Sequence, residues 1–234
     1  MRPGMKSLLR VEPLEGRCLL SADFVIDWNA LLVDVQRTRA QGNPQSARAL
    51  AIMGVAVYDS VNAIRPTHTV FHVDARAFPG AATASADAAA AQAAHDVAYA
   101  LYNQPAERMR FDELLMTQLA EVPDGQGETD GIALGQYVAA QMLAWRANDH
   151  SGDTVVYTPG SGPGVWQPTP RPNPNPPPVE LPGLPAATPQ WPYVTPFALT
   201  SGDQFRAGPS VTSPSWVPSI WSNPSRSSCA VYRA

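Results

Sequence analysis

The sequence predicts an all-α protein: a bundle of about five helices, followed by a proline-rich extended strap and an irregular tail. Three observations predict it. Seven of the 25 prolines fall in residues 1–158 and the other eighteen between Pro159 and Pro224. Charged residues run the other way, with 29 up to His150 and seven after it. Apolar side chains recur at three- and four-residue spacing from Phe24 to Trp145, the period of helices that bury one face. With 234 residues the chain can form one domain of ordinary size plus a tail.

The first helix is expected over 23–39. Ser21 or Asp23 can cap it, and Phe24, Trp28, Leu31, Leu32 and Val35 form its apolar stripe. Gly42-Asn43-Pro44 stops that helix and opens the next, with Asn43 as cap and Pro44 in the first turn. The second helix, 44–64, is apolar nearly all round (Ala47, Leu50, Ala51, Met53, Val55, Val57, Tyr58, Val61, Ile64), which predicts a central position. Asp59 and Asn62 lie three apart on it and need hydrogen-bond partners if buried. Pro66 ends it, and 67–83 is a connector.

Ser85 and Asp87 start a third, alanine-rich helix running to Ala100, with Ala91, His95, Ala98 and Tyr102 near one face. A fourth begins at Pro105 and carries the stripe Phe111, Leu114, Leu115, Leu119 and Val122 until Pro123-Asp124-Gly125 breaks it. The fifth, 128–148, sets Ile132, Gly135, Val138, Met142 and Trp145 on one side. No internal repeat is visible. Short links between five helices make a bundle.

From Ser151 the helical period vanishes. Turn residues fill 158–164, and Pro168 to Pro178 holds seven prolines, which predicts an extended, polyproline-like path. Trp166, Trp191, Tyr193 and Phe197 are out of place in a solvated linker, so 151–209 reads as a strap anchored on the helices by its aromatics. The competing reading is a disordered linker. Residues 210–234 are serine-rich, show no helical or strand period, and read as an irregular tail, truncated or out of frame.

Composition excludes some partners. The net charge is −4, and a single lysine, Lys6, stands against fifteen arginines. Nucleic acid binding needs clustered Lys and Arg to neutralise phosphates, so it is not expected. No run of about 20 apolar residues predicts a membrane span. The first 22 residues are basic at the start (Arg2, Lys6, Arg10) but lack the apolar core of roughly 7–15 residues that an ordinary secretory signal needs. The run Val11-Glu12-Pro13-Leu14-Glu15-Gly16-Arg17-Cys18-Leu19-Leu20 resembles the LEPR-x-LL signature at the N-termini of bacterial secreted and surface proteins, with Gly16 in place of the usual proline. That resemblance implies an exported protein, secreted or held at the cell surface. Cys18 and Cys229 are the only cysteines, and their spacing dictates no bridge.

Candidate chemistry is sparse. His68 and His72, with Asp74 behind them, superficially have metal-ligand spacing. In an extended stretch, however, residues four apart lie about 13 Å from each other. His95-Asp96 are adjacent on a helix, where neighbours do not face each other, so a packed or surface histidine is expected. The acidic run Asp124, Glu128, Asp130 lacks a calcium loop's alternation and closing glutamate and reads as a solvated turn. Pro172 to Pro178 could serve a proline-binding domain, although packing on its own helices is the commoner fate. No nucleophile elbow, phosphate loop or dinucleotide fingerprint occurs.

Several stretches taken in order resemble one family. They are Trp28-Asn29-Ala30-Leu31-Leu32, then Ala47-Arg48-Ala49-Leu50-Ala51 leading to Tyr58-Asp59-Ser60-Val61-Asn62-Ala63-Ile64. Next come Gly164-Val165-Trp166-Gln167-Pro168-Thr169-Pro170 and Val194-Thr195-Pro196-Phe197-Ala198-Leu199-Thr200-Ser201, and last Asp203-Gln204-Phe205-Arg206. The set is similar to the N-terminal half of bacterial vanadium-dependent haloperoxidase-like proteins, in the superfamily of type 2 phosphatidic acid phosphatases, over about residues 23–209. The resemblance implies peroxide-dependent halide oxidation on vanadate, or phosphoester hydrolysis in phosphatase relatives. Either chemistry needs an oxyanion held by several cationic donors and backbone amides, with one histidine bonded to the central atom and another handling protons.

The family writes that pocket as a Lys followed seven residues later by Arg-Pro, a Pro-Ser-Gly-His, and a Ser-Arg with a later His. In this chain the residue seven after Lys6 is Pro13. The Pro-Ser pairs at 209, 214, 218 and 224 are not followed by Gly-His, and no histidine follows Ser225-Arg226. No catalytic, cofactor-binding or metal residue is therefore expected here; vanadate belongs to the full-length family. The segments read as 1–22 export, 23–150 helical domain, 151–209 strap and 210–234 tail. The helices would buttress the catalytic bundle in an intact relative, and an uncovered core face would favour self-association. The alternatives are an exported helical interaction module without enzymatic activity, or a phosphatase-like relative.

Overall fold

Five α-helices form where the periodicity puts them: α1 Ala22–Thr38, α2 Asn43–Ile64, α3 Ala86–Leu101, α4 Pro105–Leu119 and α5 Gln126–Arg146. The computed structural model describes residues 22–161, 166–169 and 183–205, and no strand occurs among them. The protein is an all-α bundle. It divides into two compact units, Met1–Asn148 and Asp149–Ala234. Residues 1–21 of the export-like segment, both cysteines, Pro172 to Pro178 and residues 206–234, the whole tail included, lie outside the described residues.

Helix ends follow local chemistry. The chain leaves α1 at Ala40, whose φ of 50° is left-handed, and the Gln41 N–H closes the turn on the Gln36 carbonyl at 3.0 Å. The stop therefore comes two residues before Gly42, at a cost of roughly 1 kcal/mol for an alanine in that conformation. The expected Asn43 cap is corrected: Gly42 takes the cap position with no side-chain bond, and Asn43 is already helical. Pro44 brings no N–H to the first turn, so one fewer donor needs capping. Ser85 caps α3 as expected, accepting from the Ala88 N–H at 3.2 Å. At α4 the Gln104 N–H donates to the Glu107 carboxylate at 3.3 Å, one arm of a capping box.

The hub of the first unit is α3, not α2. Seven successive residues, Ala88 to Ala94, are buried, so the helix is enclosed on all sides, and it meets all four other helices. An alanine helix is the thinnest available, which lets four neighbours approach one axis. The second helix is apolar by composition but buries one side only, through Ile52, Met53, Ala56 and Val57, leaving Ala47, Gly54 and Tyr58 exposed. It is the one described helix long and apolar enough to cross a membrane; half of its most apolar window is buried in the bundle, as in a core helix.

The closest approach is between α3 and α5. Gly127, Gly131 and Gly135 recur every fourth residue and form a strip on one face of α5. A Cβ built on Gly131 would lie 2.6 Å from the Ser85 carbonyl oxygen, and one on Gly135 2.6 Å from that of Ala89. Backbone therefore rests on backbone along this seam. Around it, Trp28, Leu32 and Val35 of α1, Phe111 of α4 and Leu134, Val138 and Met142 of α5 are buried. Each large buried side chain contributes on the order of 1.5–3 kcal/mol. Of the expected α4 stripe, Phe111 and Val122 are buried, while Leu114, Leu115 and Leu119 are half-buried.

The second unit is irregular where described, apart from a single 3₁₀ turn at Trp191–Tyr193. It doubles back on itself: the Thr195 N–H donates to the Asp149 carbonyl at 3.0 Å, and the Gln190 amide to that of Ser151 at 3.2 Å. A single extended strap would not bring those positions together. Of the four aromatics read as anchors, Trp191 and Phe197 are half-buried, whereas Trp166 and Tyr193 are exposed. Those last two do not anchor by burial.

Candidate functional site

The polar residues of the first unit that could carry chemistry fall into two clusters. In the first, α2 is fastened to the connector that follows it. The Asp59 carboxylate, 1% exposed, accepts from three consecutive backbone N–H groups: Phe71 at 2.8 Å, His72 at 2.9 Å and Val73 at 2.8 Å. One turn on, Asn62 donates to the His68 carbonyl at 3.0 Å and accepts from the His68 N–H at 3.1 Å. Both side chains thus have the partners their burial demands. They hold a loop against a helix.

That clamp sends His68, His72 and Asp74 three separate ways. The His68 ring lies 2.8 Å from the Thr67 hydroxyl. His72 stacks on Trp145, with ring centroids 4.0 Å apart, and Phe71 meets the same indole edge-on at 6.3 Å. Asp74 turns to Arg76, whose guanidinium donates to it at 2.8 Å; that bond, with the Arg76 N–H and charge, holds the carboxyl at about 2. The two imidazoles are taken up by different partners, and among the described residues no group of three His, Cys, Asp or Glu could hold a metal ion. The acidic run 124–130 is also not a solvated turn throughout: Gln126 to Asp130 is the first turn of α5, with Gln126 donating to Asp130 at 2.7 Å.

The second cluster centres on His95 of α3, a packed histidine as expected, although the premise that it does not face Asp96 fails. His95 and Asp96 do meet, Nδ1 to carboxylate oxygen at 2.8 Å. Adjacent helical side chains diverge, but a short Asp can fold back along the surface to an imidazole that leans toward it. The other ring nitrogen, Nε2, lies 2.9 Å from Asp112 of α4. Trp28 of α1 meets the ring edge-on at 6.1 Å, and Tyr99 lies against it at 5.4 Å. Asp96 also accepts from Gln92 at 2.7 Å. Nothing in the seventeen-residue separation of His95 and Asp112 signals this bridge; only the α3–α4 turn brings the two together.

Burial of the ring works against its charged form, but the bonds and charges of Asp96 and Asp112 outweigh that, so its pKa lies above the ordinary histidine value. The charged ring donates both N–H groups to carboxylates and keeps no lone pair to accept a substrate proton. As placed, His95 joins helices. It is not poised as a base.

Gln118 and Gln36 are similarly committed. The Trp28 indole N–H donates to Gln118 at 2.8 Å, and the Gln118 amide donates to the Phe24 carbonyl at 3.3 Å, crossing from α4 to α1. Gln36 donates to the Tyr102 hydroxyl at 3.1 Å and to the Ser46 carbonyl at 3.2 Å. In the second unit, Tyr157 and Trp166 meet edge-on at 5.4 Å beside Leu184, Pro189 and Pro192, an open apolar cleft without a charged side chain among the described residues of its lining. No family model, curated protein or solved structure matches this chain.

Proposed function

We propose that this chain is a non-catalytic helical scaffold, the N-terminal portion of a vanadium haloperoxidase-like protein, exported from a bacterial cell and built to support a catalytic bundle. One observation carries the scaffold reading: Asp59, Asn62, His95 and Gln118 all spend their polar atoms on joining helix to helix or helix to loop. The family part rests on the ordered motifs. Trp28 and the Tyr58–Ile64 stretch lie within that order, and their residues supply the α1–α4 and α2–connector bonds. Export rests on the LEPR-x-LL resemblance. The chain lacks the Lys, Pro-Ser-Gly-His and Ser-Arg-His elements of the oxyanion pocket, so the vanadate chemistry belongs to the intact family and not to these residues.

Two measurements test this. The purified chain with vanadate, bromide and peroxide should brominate a phenol dye no faster than a vanadate-free control; bromination above it would overturn the scaffold reading. Sequencing the locus on its 3′ side should uncover the missing motifs in one of the reading frames. Their absence in every frame would overturn the family assignment and leave an exported interaction module, a reading that the outward Met109 and Met116 of α4, 57% and 65% exposed, would then favour.

A further inference from the structure

We infer that His95 is a pH-set clasp that holds α4 onto α3, closed while its imidazole is charged and loosened when it becomes neutral. The geometry is that of a staple. One ring nitrogen stays on α3 through Asp96, and the other reaches across to Asp112 on α4. Its side chain is 12% exposed, against 52% for Asp112, so the bond straddles the boundary between core and solvent.

The helix it secures is the least embedded of the four around α3. Within α4 only Phe111 and Gln118 are buried. Its ties to α1 are the buried Gln118 bonds to Trp28 and Phe24 and the surface ion pair Arg110–Asp34, which contributes little; Arg39, just past α1, pairs with the largely buried Glu107. Arg108 adds bonds to the Tyr99 and Tyr102 carbonyls, at 3.3 Å each. With only two buried residues, α4 is the helix of the bundle expected to open first.

The ionising and charged groups around the ring are few. On α3 they are Asp96 and Tyr99. On α4 they are Asp112 and Arg108, the latter one ring further out with its guanidinium 4.2 Å over Tyr99. The first helix presents Trp28, which does not ionise. A charged imidazole satisfies both carboxylates. A neutral one has a single N–H, so whichever tautomer forms, one carboxylate faces a lone pair at hydrogen-bond distance and two negative charges share one site.

The sign follows from the direction of the shift. Because the folded pKa lies above the ordinary value of 6.5, the clasp's contribution is complete below about that pH. It is lost as the pH rises through the folded pKa.

Hydrogen–deuterium exchange of the full chain between pH 6 and 9, corrected for intrinsic rates, tests it. Peptides covering 105–119 should lose protection with rising pH while peptides of α2 and α5 keep theirs, and His95→Gln should show no such pH dependence in α4. Flat protection in the wild type, an equal loss in all helices, or an unchanged loss in His95→Gln would each overturn the clasp. Should His95→Gln not fold, the wild-type protein still decides by NMR. The His95 ring should titrate above an ordinary histidine and fall toward it in Asp112→Asn; titration at or below the ordinary value overturns the proposal.

Discussion

Replacing Gly135 by alanine adds one methyl group in a helix interior, where alanine is ordinarily favoured over glycine by about 1 kcal/mol. At this position the sign should reverse. The new Cβ would lie 2.6 Å from the Ala89 carbonyl oxygen, 2.9 Å from the Gln92 Cβ and 3.0 Å from the Ala93 nitrogen, whereas ordinary contact begins at 3.4 Å. The obstacle is the backbone of α3, which cannot rotate aside. Either α3 and α5 separate locally by about 0.8 Å, which forfeits a quarter to a half of the dispersion attraction along the seam, or both helices bend. Overpacking of this kind costs about 1–3 kcal/mol. Less the propensity gain, Gly135→Ala should be destabilised by up to about 2 kcal/mol. Gly54→Ala on α2 is the matched control. It is exposed and its Cβ would meet nothing within 4 Å, so it should gain about 0.5–1 kcal/mol. Urea unfolding followed by helical circular dichroism gives both values, with thermal midpoints moving by about 2–4 °C per kcal/mol. If Gly135→Ala equals or exceeds the wild type, or if both variants shift the same way, the backbone seam is not what holds α3 to α5.

Two further substitutions address the polar joints. Asp59→Ala strands three N–H donors at Phe71, His72 and Val73 and should cost about 2–4 kcal/mol; a faster protease cut within 65–80 is the readout, and an unchanged cleavage rate would show that the connector holds without the clamp. Gln118→Leu keeps the volume but leaves the buried Trp28 indole N–H unpaired, for a loss of about 1–3 kcal/mol in urea unfolding. A stability equal to the wild type would mean that the amide bridge between α4 and α1 contributes nothing net.

The helices were legible because a bundle writes its period into every turn, and the tertiary partners were not. Phe24, Trp28, Leu32 and Val35 appear in the sequence as one stripe and in the structure as one buried face. The rank of the helices was misread, since α2 has the bulkier apolar side chains while the hub is the alanine helix; centrality here depends on how thin a helix is. Gly127, Gly131 and Gly135 were in plain view at four-residue spacing, but glycine reads as helix-weakening unless the partner face, Ser85 to Ala93, is known to be equally small. Asp59 and Asn62 announced a need for partners by their place on an apolar helix. Which backbone groups would answer depended on the path of the loop after Pro66. The His95 bridge had no signal at all, because its second carboxylate belongs to another helix.

The α3–α5 seam also determines what kind of mutation can damage it. Most protein cores fail by subtraction, when a large side chain is shortened and a void opens. Here glycines face backbone and the Cβ atoms of Ala88 and Gln92, and there is almost nothing left to remove. The seam can fail only by addition, and every substitution of a glycine adds atoms. Drift that erodes other cores gradually would be resisted or excluded here one position at a time. The least decorated part of the sequence should therefore be the part least free to change.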